Sequence, residues 1–128
     1  MTGREDFQYA IFRVVPRVER GEALNVGVVL FSRRHSFLAA RTELDDAALA
    51  ALAPNCVAAE VRPHLQALER IAAGDETGGP IAALEQSERF HWLTAPSSTI
   101  VQPSPVHTGL TADPAAELDE LFAKLVQR

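Results

Sequence analysis

The chain has 128 residues, 47% hydrophobic and 23% charged, with a net charge of -5 and a single cysteine. That length suits one domain spanning 1–128 around a single core, and no apolar run reaches the roughly 18 residues of a membrane helix. The acidic balance argues against a dedicated nucleic-acid binder, for which a basic domain is expected.

The opening MTGREDFQYA lacks the apolar core of a secretory signal, and a lone cysteine allows no internal disulfide, so the cytosol is the expected compartment. Residues 1–8 are expected to be flexible. From there QYAIFRVVPRVE alternates, with Ala10, Phe12, Val14 and Val18 on one face and Tyr9, Arg13 and Arg17 on the other. Pro16 cannot donate to a ladder, so this strand lies at an edge or bends near its end. A turn at Gly21 leads to LNVGVVLF, continuously apolar and therefore buried on both faces. Gly27 in that strand marks a bulge or a close packing contact. SRRHS is a polar hairpin loop and FLAARTEL a third strand, which completes an antiparallel meander.

The middle is helical. DDAALAAL opens on acids and stops before Pro54. VAAEVRPHLQALERIAAG carries Val57, Val61, Leu65, Leu68 and Ala72 on one stripe, with Gly74 as C-cap and Pro63 either starting or kinking the helix. IAALEQSERFHWL reads as a short helix to about Ser87 followed by irregular or extended chain. STIVQPSPVHTG reads as a strand starting at Ser98, in which Pro103 and Pro105 drop their donors toward one edge and so protect it. DPAAELDELFAKLVQR has Asp113 as N-cap, Pro114 at the first helical position and an apolar stripe through Leu118, Leu121, Phe122 and Leu125. The whole reads as α+β: an antiparallel sheet, made of a three-stranded meander and a late proline-braced edge strand, with helices packed on one face.

Two groups of side chains qualify as a binding surface. One is the braced segment and its flanks, with Gln86, Ser87 and Arg89 before it and Gln102, Ser104, His107 and Thr108 within it; a stiff backbone loses little entropy when it fixes such groups, and the alternative is loop stabilisation by side chains that bond their own main chain. The other is an arginine face. Arg13 and Arg17, four positions apart on a strand, project the same way about 13 Å apart. Arg41 from a neighbouring strand, with Asn25 near Arg13, extends a set of forks suited to carboxylate or phosphate. The first 41 residues hold seven arginines against four acids, whereas the rest is strongly acidic, so intramolecular pairing competes for these arginines.

No catalytic motif accompanies either group. Ser104, His107 and Asp113 lack a G-x-S-x-G elbow, and the four histidines show no metal-binding spacing, so no cofactor or metal is expected. Cys56, after APN at a helix start, is read as a small filler rather than a nucleophile.

Four blocks, YAIFRVVPRVERGEALNVGVVLF, FLAAR, SERFHWLTAPSSTIVQPSPVHTG and DPAAELDELF, resemble a bacterial family catalogued only as domain of unknown function 3037. The likeness runs from about Tyr9 to the end of the chain. It implies no established activity and no catalytic or binding residue; it implies genes often neighbouring kinases similar to HipA, and so a protein partner. The leading expectation is a small non-enzymatic cytosolic domain that binds and modulates another protein, conceivably a HipA-like kinase. The alternatives are a ligand- or nucleic-acid-binding module using the arginine face, and an enzyme completed only by a partner.

Overall fold

A computed structural model describes residues 3–97 and 99–127. Strand β1 spans Glu5–Val14, β2 Leu24–Ser32 and β3 Phe37–Thr42; helices α1 (Asp46–Leu52), α2 (Ala58–Ala73) and α3 (Gln86–Leu93) follow. Strands β4 (Val101–Pro103) and β5 (His107–Thr111) lead into the last helix, α4 (Pro114–Leu125). The antiparallel sheet has the order β3-β2-β1-β4, and β5 also pairs with β1. The α+β class is as the sequence indicates.

The layering differs from expectation. One cluster sets Phe12, Val14, Val29 and Phe31 against Val61, Leu65, Phe90 and Leu93, on the side of α1, α2 and α3. A second joins Phe7, Val28 and Leu30 to Leu118 and Phe122 of α4. Helices therefore cover both faces, not one. The cause lies in β2, whose residues from Val26 to Ser32 are all buried: a strand apolar on both sides needs a cover on each.

Three further readings are corrected. Residues 5–8 belong to β1, where Phe7 is buried, so only the stretch before Glu5 lies outside the strand. Strand β1 is interior, with β2 on one side and β4 and β5 on the other, and it ends at Val14 ahead of Pro16. The QSERFHWL segment is helix α3, beginning where the helix was expected to stop; it buries Arg89, Phe90 and Leu93. The proposed strand start at Ser98 lies outside the described residues.

Other local readings are met. Gly27 opposes Phe12 and the register then jumps to Arg13–Asn25, which leaves Val26 as a bulge. A Cβ on Gly27 would stand 2.9 Å from the Arg41 carbonyl oxygen. Helix α2 ends on Gly74 at φ 71°, as read, but it starts at Ala58, so Pro63 lies inside it rather than at its start. Asp113 caps α4 by accepting from the Ala116 amide at 3.1 Å.

Candidate functional site

The late segment forms one margin of the sheet, but as two short strands and a break. Strand β4 pairs with β1 from Phe12 to Val14, and β5 pairs with Glu5 to Tyr9. Between them Ser104 turns inward. Its amide donates to the Ile11 carbonyl at 2.7 Å, and its hydroxyl accepts from the Ile11 amide at 2.8 Å. The same hydroxyl donates to the Pro105 carbonyl. A serine here does the work of a ladder residue in a proline-flanked stretch with few donors. Ser104 is thus buried and committed to main chain, not offered outward.

These contacts fix which way the main chain of the margin points. Ile11 and Val15 direct their amides toward the margin, to Ser104 and Ile100. By strand alternation Tyr9, Phe7 and Glu5 do likewise, so their partners His107, Gly109 and Thr111 spend their amides and carbonyls on β1. Thr108 and Leu110 then turn theirs to the outer edge. Pro103, opposite Phe12, occupies an outward position of the same kind in β4 and has no N–H to present.

The other predicted residues fall into separate places. Arg13, Gln102 and His107 do share one face, the α4 side, because Arg13 pairs with Gln102 and Tyr9 with His107. They do not form one cleft: the two pairs are four positions apart along β1, about 13 Å. The Gln102 amide donates to the Thr99 carbonyl, and the His107 ring lies 5.2 Å from that of Tyr9. Asn25 of β2 stands directly opposite Arg13 of β1, but its amide ties down the carboxyl end of α4 through the Leu125 carbonyl at 3.0 Å. Among the described residues the Arg13 Nε is buried and has no hydrogen-bond partner.

The arginine face itself breaks up. Arg17 lies beyond the end of β1, because Pro16 stops the strand, and it does not project beside Arg13. Arg41 is exposed but already engaged by its own chain: its Nη1 is 2.6 Å from Asp119 and its guanidinium lies 4.4 Å over the Phe122 ring. Gln86 donates to the Ser36 carbonyl. Arg89 is buried and donates to the carbonyls of Leu84, Ile71 and Ala72, so it locks the end of α2 rather than meeting a ligand. Ser87 sits at the start of α3 by a shallow hollow shared with Phe31 and Arg33, and Thr108 faces the side of the sheet opposite Arg13.

Two hollows flank the margin. A mostly apolar trough of about 330 Å³ lies between α2, α3 and β4, bounded by His64, Leu68, Trp92, Pro96 and Pro103. A second, of about 570 Å³, is bounded by Gln8, Phe31, Arg33, Arg34, Thr108 and Leu110. Sequence reasoning passed over Trp92, Arg33 and Arg34. The signals were present: Trp92 is the only tryptophan and is 47% exposed, and the two arginines stand side by side at a hairpin tip. Cys56 fits the filler reading, since burial first and then Glu60 push its thiol pKa up, which disfavours the thiolate. Among the described residues no group of His, Cys, Asp and Glu is placed to hold a metal ion, and no helix is long and apolar enough to cross a membrane.

A family model described as protein of unknown function (DUF3037) matches residues 9–126, nearly the whole chain. The chain belongs to the DUF3037 family. No curated protein and no solved structure matches it. The DUF3037 match covers both the central strand β1 from Tyr9 onward and the whole β4–β5 margin, so the margin is part of the family's domain and not an appendage to it.

Proposed function

We propose that this domain is a non-enzymatic protein-binding module, an accessory or regulatory partner of another cytosolic protein, with a HipA-like kinase as the first candidate. The observation that supports it is the β5 margin. Strand β5 is held chiefly by β1, and among the described residues no helix makes more than slight contact with it; Leu110, with Val106 just before the strand, is an exposed large hydrophobic residue. Apolar side chains grouped on an uncovered margin are what a partner surface buries. The kinase enters through the gene neighbourhoods that the family resemblance implies, which is association and not contact. Mixing the purified protein with a HipA-like kinase from the same genome and measuring mass by light scattering is expected to give a stable complex at micromolar concentration. A protein that stays alone with every candidate overturns the proposal.

A second reading has one observation behind it, the unpartnered Nε of Arg13 on the α4 face. A buried guanidinium nitrogen without an acceptor favours an anionic group arriving from outside. With Arg17 and Arg41 drawn off, that reading rests on Arg13 alone. It predicts binding to oligonucleotides or nucleotides that falls steeply with salt, and absent or salt-insensitive binding removes it.

A further inference from the structure

We infer that the outer edge of β5 accepts an extended, acidic, proline-free peptide segment of a partner as an additional antiparallel or parallel strand, with Thr108 and Leu110 supplying the main-chain hydrogen bonds. This rests on the protein-binding reading above and names the chemistry of what binds.

Three features carry it. The first is the alternation set by Ile11 and Val15, which sends the amides and carbonyls of Thr108 and Leu110 away from β1. An outward row of this kind is a template for another strand. The second is the contrast within one margin. Proline stands at the outward position 103 of β4, whereas β5, HTGLT, has no proline, lysine or other charge to discourage pairing. Protection stops where β5 begins. The third is charge. The hollow that reaches Thr108 and Leu110 also holds Arg33 and Arg34, both exposed. The ion pairs among the described residues are Arg20–Glu22, Arg41–Asp119, Arg62–Asp46 and Lys124–Glu120, which leaves both hairpin arginines out. Asp6 borders the same hollow, and two guanidinium groups against one carboxylate keep it positive. A strand laid on β5 sets alternate side chains over this hollow, so acidic residues at every second position match it.

Strand β5 is also fixed firmly enough to act as a template. The Phe7 ring packs on Gly109 so closely that a Cβ there would come within 2.7 Å of it. Glycine at 109 therefore seats the aromatic ring of β1, and the position next to it presents the edge.

The test uses a random peptide library displayed on phage, selected against the full chain. Enriched peptides are expected to be acidic, of alternating pattern and free of proline. Leu110→Pro removes one outward N–H without touching a β1 ladder bond, since edge positions with the N–H facing solvent tolerate proline. It is expected to weaken an enriched peptide about tenfold or more, the loss of roughly one hydrogen bond. Arg33→Glu with Arg34→Glu is expected to weaken it similarly and to flatten its salt dependence. In the unaltered protein, the amide exchange of Thr108 and Leu110 is expected to slow when peptide is added, which gives the answer even if the proline variant fails to fold. Enrichment of basic peptides, no enrichment, or unchanged Thr108 and Leu110 exchange on binding overturns the inference. So does a peptide-independent dimer that Leu110→Pro dissolves, because the occupant is then a second copy. A partner complex that survives Leu110→Pro leaves the protein-binding reading standing and removes only the strand addition.

Discussion

The two margins of this sheet are covered to different degrees. On the β3 side, α2 packs against the strand, and the Glu69 carboxylate takes both the amide and the hydroxyl of Thr42, at 2.8 and 2.6 Å. An outward main-chain donor there is met by a side chain from the covering helix. On the β5 side, among the described residues, no helix makes more than slight contact with the strand that carries the corresponding donors of Thr108 and Leu110. Both margins belong to the same antiparallel sheet, so the difference comes from what the chain lays over each. A closed margin serves stability, and an open one leaves a template on which another strand can pair.

Substitutions on the β3 side have the largest expected effect. Gly27→Ala sets a Cβ 2.9 Å from both the Arg41 carbonyl oxygen and the Thr42 Cγ2, beside the β3 side, where backbone cannot yield cheaply. Urea unfolding is expected to show a loss of about 2–3 kcal/mol, the range of overpacked cores. Glu69→Ala strips the acceptor from two Thr42 donors and is expected to cost about 1–2 kcal/mol, because half-buried donors are left without a partner. Leu110→Ala at the open margin is expected to change stability by less than about 0.5 kcal/mol, as for an exposed side chain with no special role. If Leu110→Ala costs as much as Glu69→Ala, the margins are not different in kind.

Amide exchange sharpens the same contrast residue by residue. In the free protein Gly109 is expected to be protected and its neighbours Thr108 and Leu110 to exchange fast, an alternation that a strand covered on both sides does not show. Equal protection along β5 would contradict the assigned alternation.

Much of this architecture was legible because it rests on local patterns. Alternation around Phe12, the unbroken apolar run of β2, the Gly74 cap and the Asp113–Pro114 start of α4 each state their own geometry. The one-face layering failed because patterns along one element do not say which element covers which side; the evidence was nevertheless inside β2, whose two apolar faces already required two covers. Helix α3 was misplaced because its apolar periodicity is weak and its stability comes from afar, through Arg89 donating to the carbonyls of Ile71 and Ala72. The candidate site was legible in part. The braced segment does form a margin of the sheet, but Ser104 and Gln102 spend their hydrogen bonds on neighbouring main chain, and Arg17 and Arg41 are drawn elsewhere. Choosing among arginines needs knowledge of which acids reach them, and pairs such as Arg41–Asp119, 78 positions apart, leave no local trace.

The interior place of β1 also bears on how the chain is made. Its β2 side is filled by the next hairpin, but its other side must wait for residues as distant as Ser104, 93 positions beyond Ile11. On the ribosome the nascent meander therefore carries a bare flank until most of the polypeptide has emerged. Closing that long loop carries an entropic cost that grows with sequence separation, and pairings so far apart along the chain slow folding.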